Sequence, residues 1–253
     1  MNADPIVRIF PDAAALAAGA AARVAELSAE SISARGRFSI AFSGGSTPLA
    51  LYSVLATEYH DRISWPRVHA WLGDERCVPH DHHDSNARMI ARALLDHVPM
   101  PPLNIHLVPT ALPPTAAADE YERALRAFDP RAPFDLVLLG LGADGHTASL
   151  VPGSPALCAG DRWTVSTLAP PTSPVRDRVS ITLPLIAISP HALFLVSGKD
   201  KSAVVARALN RLGGPGSKPP AALVRSINPV EWYLDAPAAG TAVPSTPATT
   251  PSR

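Results

Sequence analysis

Phe134 to Gly153 reads FDLVLLGLGADGHTASLVPG, and the reading of this stretch decides the fold. Its apolar run, Leu136 to Leu139, ends in Gly140, Gly142 and Gly145, a turn whose only ionisable side chains are Asp144 and His146. A continuous apolar run of this length, bounded by glycine, suits a strand covered on both faces. Open α/β sheets carry their chemistry at the carboxyl ends of such strands, so the stretch predicts a buried strand delivering a histidine to a pocket.

The chain on either side alternates in the same manner. Ile6 to Phe10 reads as a strand, and Pro11-Asp12 opens an Ala-rich helix to about Ser33, with Leu16, Ala20, Val24 and Leu27 on one face and Gly36 closing it. Further strands are expected at Phe38 to Phe42, Val68 to Leu72, Ile105 to Val108, Trp163 to Ser166, Val179 to Leu183, Ala192 to Val196 and Ala221 to Val224. Helices are expected from Ser85 to Asp96, capped by Ser85, from Thr115 to Phe128, capped by Thr115, and from about Asp200 to Arg211. Strands alternating with helices predict a doubly wound α/β fold, a mainly parallel sheet sandwiched by helices, in a single domain. That domain is expected over residues 1–235, with a flexible loop from Gly213 to Pro220. From Ala236 only Ala, Pro, Thr, Ser, Gly, Val and a last Arg remain, a composition that predicts a disordered tail, 236–253.

Composition narrows the function. The 253 residues are 47% hydrophobic, and Lys plus Arg equals Asp plus Glu at 22 each. Such a balance gives no general electrostatic reason to bind nucleic acid or a membrane surface, so any anion must be held by local groups. Cys77 and Cys158 stand far apart, outside any CxxC pattern, which suggests neither a disulfide framework nor a zinc site and fits a reducing, cytoplasmic setting. The start, MNADPIVRIF, lacks the basic-then-apolar order of a signal peptide. Val179 to Gly198 lacks Asp, Glu, Lys and Arg, but Pro184, Pro190, His191 and its serines make it two short buried elements rather than a membrane span.

Three other strand ends carry chemistry. Ser43, Gly44, Gly45, Ser46 and Thr47 precede Pro48 at a strand-to-helix turn, where free backbone N–H groups, hydroxyls and the helix dipole make a phosphate site that needs no net charge. Asp74, Glu75 and Arg76 follow the Val68 to Leu72 strand, where active-site loops sit. Lys199 and Lys201 begin a helix, where a bound anion would offset the cost of placing cations at its positive end. His80, Asp81, His82, His83 and Asp84 form a His-rich tract; adjacent ligands on one loop rarely converge on one ion, so no metal site is expected.

Taken together, FSGGSTPLALY (42 to 52), WLGDERCVPHDHHDSNARMI (71 to 90), LGLGADGHTASLVPGSPAL (139 to 157), RVSITLPLI (178 to 186) and VSGKDKSAVV (196 to 205) resemble the 6-phosphogluconolactonase family. The resemblance runs, in the family's order, over nearly the whole chain to about residue 235. It implies hydrolysis of 6-phospho-D-glucono-1,5-lactone to 6-phosphogluconate, a sugar-phosphate lactone as the small-molecule partner, and no metal or organic cofactor; a monomer is expected, although the sequence does not show oligomeric state. By the same resemblance His146 is the general base and Asp144 orients it or the water. Arg178 and Lys201 would join the Ser43 to Thr47 turn in holding the phosphate. Arg76 faces the substrate, and Asp74 matches the carboxylate that is the base in the related deaminases. Those deaminases carry a glutamate five residues beyond the histidine, where this chain has Val151.

Two other enzymes and a binder share parts of this pattern. A glucosamine-6-phosphate deaminase or isomerase would share the phosphate turn and differ at position 151. A nicotinamide-dependent oxidoreductase is suggested by Gly140, Gly142 and Gly145 as GxGxxG, but Pro152-Gly153 interrupts the helix that such a turn should open. A non-catalytic sugar-phosphate sensor would have little reason to keep both Asp144 and His146.

Overall fold

The computed structural model of the chain describes residues 4–209 and 218–241. Along it run β1 (Ile6–Phe10), α1 (Ala13–Arg35), β2 (Phe38–Phe42), α2 (Ser46–Glu58), β3 (Val68–Leu72), β4 (Asp74–Arg76), α3 (Asn86–Ala93) and α4 (Pro114–Phe128). They are followed by β5 (Leu136–Leu139), β6 (Thr164–Leu168), β7 (Asp177–Ile181), α5 (Leu183–Ala187), β8 (His191–Val196), α6 (Ser202–Leu209), β9 (Glu231–Asp235) and α7 (Ala236–Ala239).

Six strands form one parallel sheet in the order β1-β9-β8-β5-β2-β3, flanked by helices. β2, β5 and β9 are buried along their whole length, as strands covered on both faces must be. α1 begins at Asp12, whose carboxylate accepts the Ala15 N–H at 2.8 Å, and ends at Gly36 in the left-handed conformation (φ 76°). Its buried stripe contains Leu16, Ala20, Val24 and Leu27. A second, antiparallel sheet has the order β4-β7-β6. The chain passes from one sheet to the other at Gly73, whose N–H still bonds Phe42 O at 2.8 Å.

From β2 the sheet grows one way to β3 and the other way to β5, β8, β9 and β1. Strand order therefore reverses between β2 and β5, and a crevice opens outside their carboxyl ends. Among the described residues no helix is long and apolar enough to cross a membrane.

The structure departs from the sequence expectations at several elements. Asp74 to Arg76 is a short strand rather than a loop, because β7 pairs with it. Ile105 makes a single bridge to Ala70, and prolines on both sides keep a strand from extending there. Residues 220–223 form a 3-10 turn, and the last strand is β9, EWYLD, whose acids obscure its apolar character. Glu231 is buried there because the Arg23 guanidinium bonds it at 3.0 and 2.8 Å. α4 starts at Pro114 without a side-chain cap, and Thr115 instead faces Ser166 at 3.2 Å. The tail expected from Ala236 begins as a helix: Asp235 caps α7, and Ala238 and Ala239 are buried. Positions 242–253, the expected helix end at Arg211 and most of the Gly213 to Pro220 loop lie outside the described residues.

Candidate active site

The crevice between β2 and β5 holds a cavity of about 370 Å³. The turns after four parallel strands line it: Ser43 to Pro48 after β2, Asp74 and Arg76 after β3, Gly140 to Ala143 and His146 after β5, and Ser197 and Lys201 after β8. Of the eleven sequence-predicted site residues, nine line this space. Asp144 and Arg178 do not, and each stands against one that does.

Asp144 stands behind His146. Its Oδ1 lies 2.6 Å from His146 Nδ1 and also accepts the His146 backbone N–H at 3.0 Å. With Nδ1–H donating to the carboxylate, Nε2 keeps the free lone pair. Burial pushes the Asp144 carboxyl up, but the backbone N–H, charge and ring bond of His146 outweigh it, and the group lies below the usual carboxylate range. The turn is tight. A Cβ on Gly142 would lie 2.1 Å from His146 Nδ1 and 2.7 Å from Asp144 Oδ1, so only glycine leaves room for the pair. Ala148, which also lines the cavity, holds φ 47°, a conformation that costs a non-glycine residue about 1 kcal/mol or more.

Facing this turn is the amino end of α2. Gly45 occupies its N-cap at φ 102°, and no side chain caps the helix. The Ser46 and Thr47 N–H groups have no carbonyl of their own helix to bond, and Pro48 has none to satisfy, so donors and dipole are left toward the cavity. The helix starts at Ser46, which makes Pro48 its third residue. The residue that follows β2 is anchored: Ser43 donates its N–H to the Tyr52 hydroxyl at 3.0 Å, and that hydroxyl donates to Ser43 O at 2.6 Å.

The third wall comes from β4. Asp74 Oδ2 accepts from Ser149 Oγ at 2.6 Å, and Asn86 Nδ2 donates to Asp74 O at 2.8 Å. Glu75 is fully buried and turns away from the cavity into the start of α3. It accepts the N–H groups of Arg76 (2.7 Å), Asn86 (2.8 Å) and Ala87 (2.8 Å) and the Ser85 hydroxyl (3.0 Å). Burial still outweighs these donors and raises its pKa. Arg76 lies opposite Arg178 in the β4–β7 register, and among the described residues neither guanidinium pairs with a carboxylate at ion-pair distance. Burial first, and then the charge of Arg76, hold Arg178 below the ordinary guanidinium value. Two facing arginines raise the positive potential at this edge of the cavity.

Asn86 and Ser149 escaped the sequence reading. Asn86 follows a cap and reads as helix surface, yet it is buried and lines the cavity, and its Oδ1 stands where a Cβ on Gly44 would come within 2.1 Å. Lys199 starts the turn that carries Lys201 but does not line the space. In the His-rich tract the ligating atoms of His82, His83 and Asp84 do converge, within 4.8 Å of one another. His82 Nδ1, however, accepts the Asp84 N–H at 3.1 Å, which commits that lone pair to the backbone. The tract meets the site through Asp84 O, which accepts from Arg76 Nη1 at 2.6 Å.

Comparison with known proteins finds relatives over most of the chain. Residues 11–232 match the family described as glucosamine-6-phosphate isomerases/6-phosphogluconolactonase. A 6-phosphogluconolactonase of Synechocystis is 40% identical over 215 residues, 81% of this chain and 85% of its own. One of Mycobacterium bovis is 38% identical over 246 residues, 92% of this chain and 96% of its own. The solved 6-phosphogluconolactonase of Trypanosoma cruzi superposes with a TM-score of 0.84 at 30% identity, covering 94% of this chain and 97% of that one.

Proposed function

Because the chain belongs to the glucosamine-6-phosphate isomerase/6-phosphogluconolactonase family, we infer that it hydrolyses 6-phospho-D-glucono-1,5-lactone to 6-phospho-D-gluconate, the second step of the oxidative pentose phosphate pathway. The observation that carries the mechanism is the 2.6 Å contact between His146 Nδ1 and Asp144, on a turn facing an uncapped helix terminus.

His146 Nε2 takes a proton from water as the water oxygen bonds to the lactone C1. The carbonyl electron pair moves to oxygen, and this oxyanion needs fixed donors. Collapse of the tetrahedral intermediate breaks the bond from C1 to the ring oxygen, and the imidazolium returns its proton to that oxygen. The acid formed then ionises. Asp144 keeps the imidazole in the tautomer that accepts at Nε2 and favours its protonated form in between. The backbone of Gly44 and Gly45 is the candidate oxyanion donor.

At the other end of the substrate, the Ser43 to Thr47 turn and Lys201 receive the phosphate, with Arg76 as a further cation and Arg178 adding its charge from behind. Asp74, held by Ser149 and Asn86, accepts from a sugar hydroxyl. Val151 stands where the deaminases carry a glutamate, which favours lactone opening over deamination. The protein works as a cytoplasmic monomer, without a metal or organic cofactor.

The test is acid release from freshly generated 6-phosphogluconolactone, against spontaneous opening, after EDTA treatment and with unphosphorylated gluconolactone as control. Acceleration that requires the phosphate and survives the chelator is expected. Ammonia release from glucosamine 6-phosphate with no effect on the lactone would replace this reading by the deaminase one.

A further inference from the structure

The turn that presents Lys201 is not held by its own helix. β8 ends at Val196, and the chain then passes through Ser197 and Gly198, the latter at φ 105°, before Lys201 donates its N–H to Gly198 O at 3.0 Å. What fixes Ser197 and Gly198 is a carboxylate from the far end of the sequence. Asp235, the last residue of β9 and only 3% exposed, accepts the Ser197 hydroxyl at 2.5 Å. It also accepts the Gly198 N–H at 3.1 Å to each oxygen. A third donor, the Ala238 N–H at 2.8 Å, comes from α7. α7 in turn packs against the turn at Lys199–Lys201 and against α6, with Ala238 and Ala239 buried. Gly240 closes on Ser202: a Cβ there would lie 3.1 Å from Ser202 Cβ.

A buried carboxylate is costly unless its oxygens are satisfied, and here each donor belongs to one of two segments, the lysine turn or the cap of α7. The carboxylate therefore ties the two together. Ser197 itself lines the cavity, as does Lys201 further along the same turn.

We propose that Asp235 is a positioning residue for the phosphate end of the site, fixing the Ser197–Gly198 turn so that Lys201 is directed into the cavity, with α7 as the brace behind it. This rests on the reading of Lys201 as a phosphate ligand. Asp235 does not touch the substrate and acts through the lysine. It also gives residues 236–240 a part in substrate binding, although their composition alone reads as tail.

The experiment is a double-mutant cycle on Asp235→Asn and Lys201→Ala in the full chain, read as the dissociation constant of 6-phosphogluconate by calorimetry and, separately, as kcat and KM for the lactone. Asp235→Asn keeps one acceptor and the shape of the side chain. It is expected to weaken 6-phosphogluconate binding about tenfold, the size of one misplaced charge-assisted contact, with kcat changed less than about twofold. In the Lys201→Ala background it is expected to have no further effect on binding. Ser197→Ala removes one of the same bonds with less risk to folding and should shift binding in the same direction, again only when Lys201 is present. Equal effects of Asp235→Asn with and without Lys201, or kcat and affinity falling together with the folded fraction, would overturn the proposal. Because binding of 6-phosphogluconate is read independently of turnover, a wild-type protein that binds it but leaves the lactone unopened would sink the catalytic reading and leave the cycle for Asp235 intact.

Discussion

The turns after β2 and β5 and the wall made by β4 bring polar groups to one cavity by different means. The first two are built from neighbours in the chain. Gly45 leaves α2 uncapped, Gly142 makes room for His146 against Asp144, and each device is complete within about five residues. The β4 wall draws on segments further along the chain, from Asp84 and the start of α3 to Ser149 and Arg178. Asp74 is held by Ser149, Glu75 by the start of α3, and Arg76 by Asp84 O with Arg178 opposite. A turn that carries its own geometry can lose the His146 side chain and stay folded. A wall held by long-range bonds loses stability and binding together.

The largest effect should separate chemistry from fold. His146→Ala is expected to lower kcat about 10³-fold, the usual worth of a general base, with KM and Tm nearly unchanged; stopped-flow acid release above the spontaneous rate and a thermal melt check both halves. Gly142→Ala tests whether the turn is as tight as its distances say. The methyl must displace the imidazole, and kcat should fall about 10²-fold with little change in the melting curve. An unimpaired Gly142→Ala enzyme would remove the distinction between the two regions.

On the β4 side the order reverses. Glu75→Ala should cost about 2–3 kcal/mol in urea unfolding, because buried N–H groups at the start of α3 lose their acceptor. Its KM should rise as Asp74 and Arg76 loosen. A Glu75→Ala protein of wild-type stability would mean that water or Ser85 replaces the carboxylate. Arg76→Ala should raise KM for the phosphorylated lactone about tenfold while sparing kcat, since it removes one charge-assisted contact.

The smallest effect lies outside the site, at Glu122, which accepts from Arg162, Arg126 and the backbone of Trp163 and Thr164 where α4 meets β6. Burial pushes its carboxyl up, but the arginines and N–H groups outweigh this and its pKa is lowered in the folded state. The unfolded chain then binds more protons as the pH falls through the carboxylate range. The stabilisation is present above the ordinary glutamate value of 4.5 and is lost as pH falls through the folded value. The urea midpoint of wild type should exceed that of Glu122→Gln at pH 7, and the two should converge near pH 3.

What sequence could and could not show follows the same division. β2 and β3 were legible to the residue, since FSIAF and VHAWL are mostly apolar and bounded by turn residues. Gly45, Gly142, Asp144 and His146 were legible because their partners lie within a turn of chain. β9 was not, because Glu231 is at home in a buried strand only when Arg23, 208 residues away, neutralises it. Nor was Asn86, whose burial depends on Gly44 and Asp74, or α7, whose alanines become core only against the lysine turn.

The layered fold, the His146–Asp144 pair and the helix terminus that faces it were written in the sequence alone, because local hydrogen bonding and apolar periodicity are properties of neighbouring residues. Only the tertiary structure decided that Arg178 stands behind Arg76 rather than in the cavity, and that Asp235 and α7 brace the lysine turn. Those placements depend on strand pairing between distant segments and on which of them satisfies a buried charge.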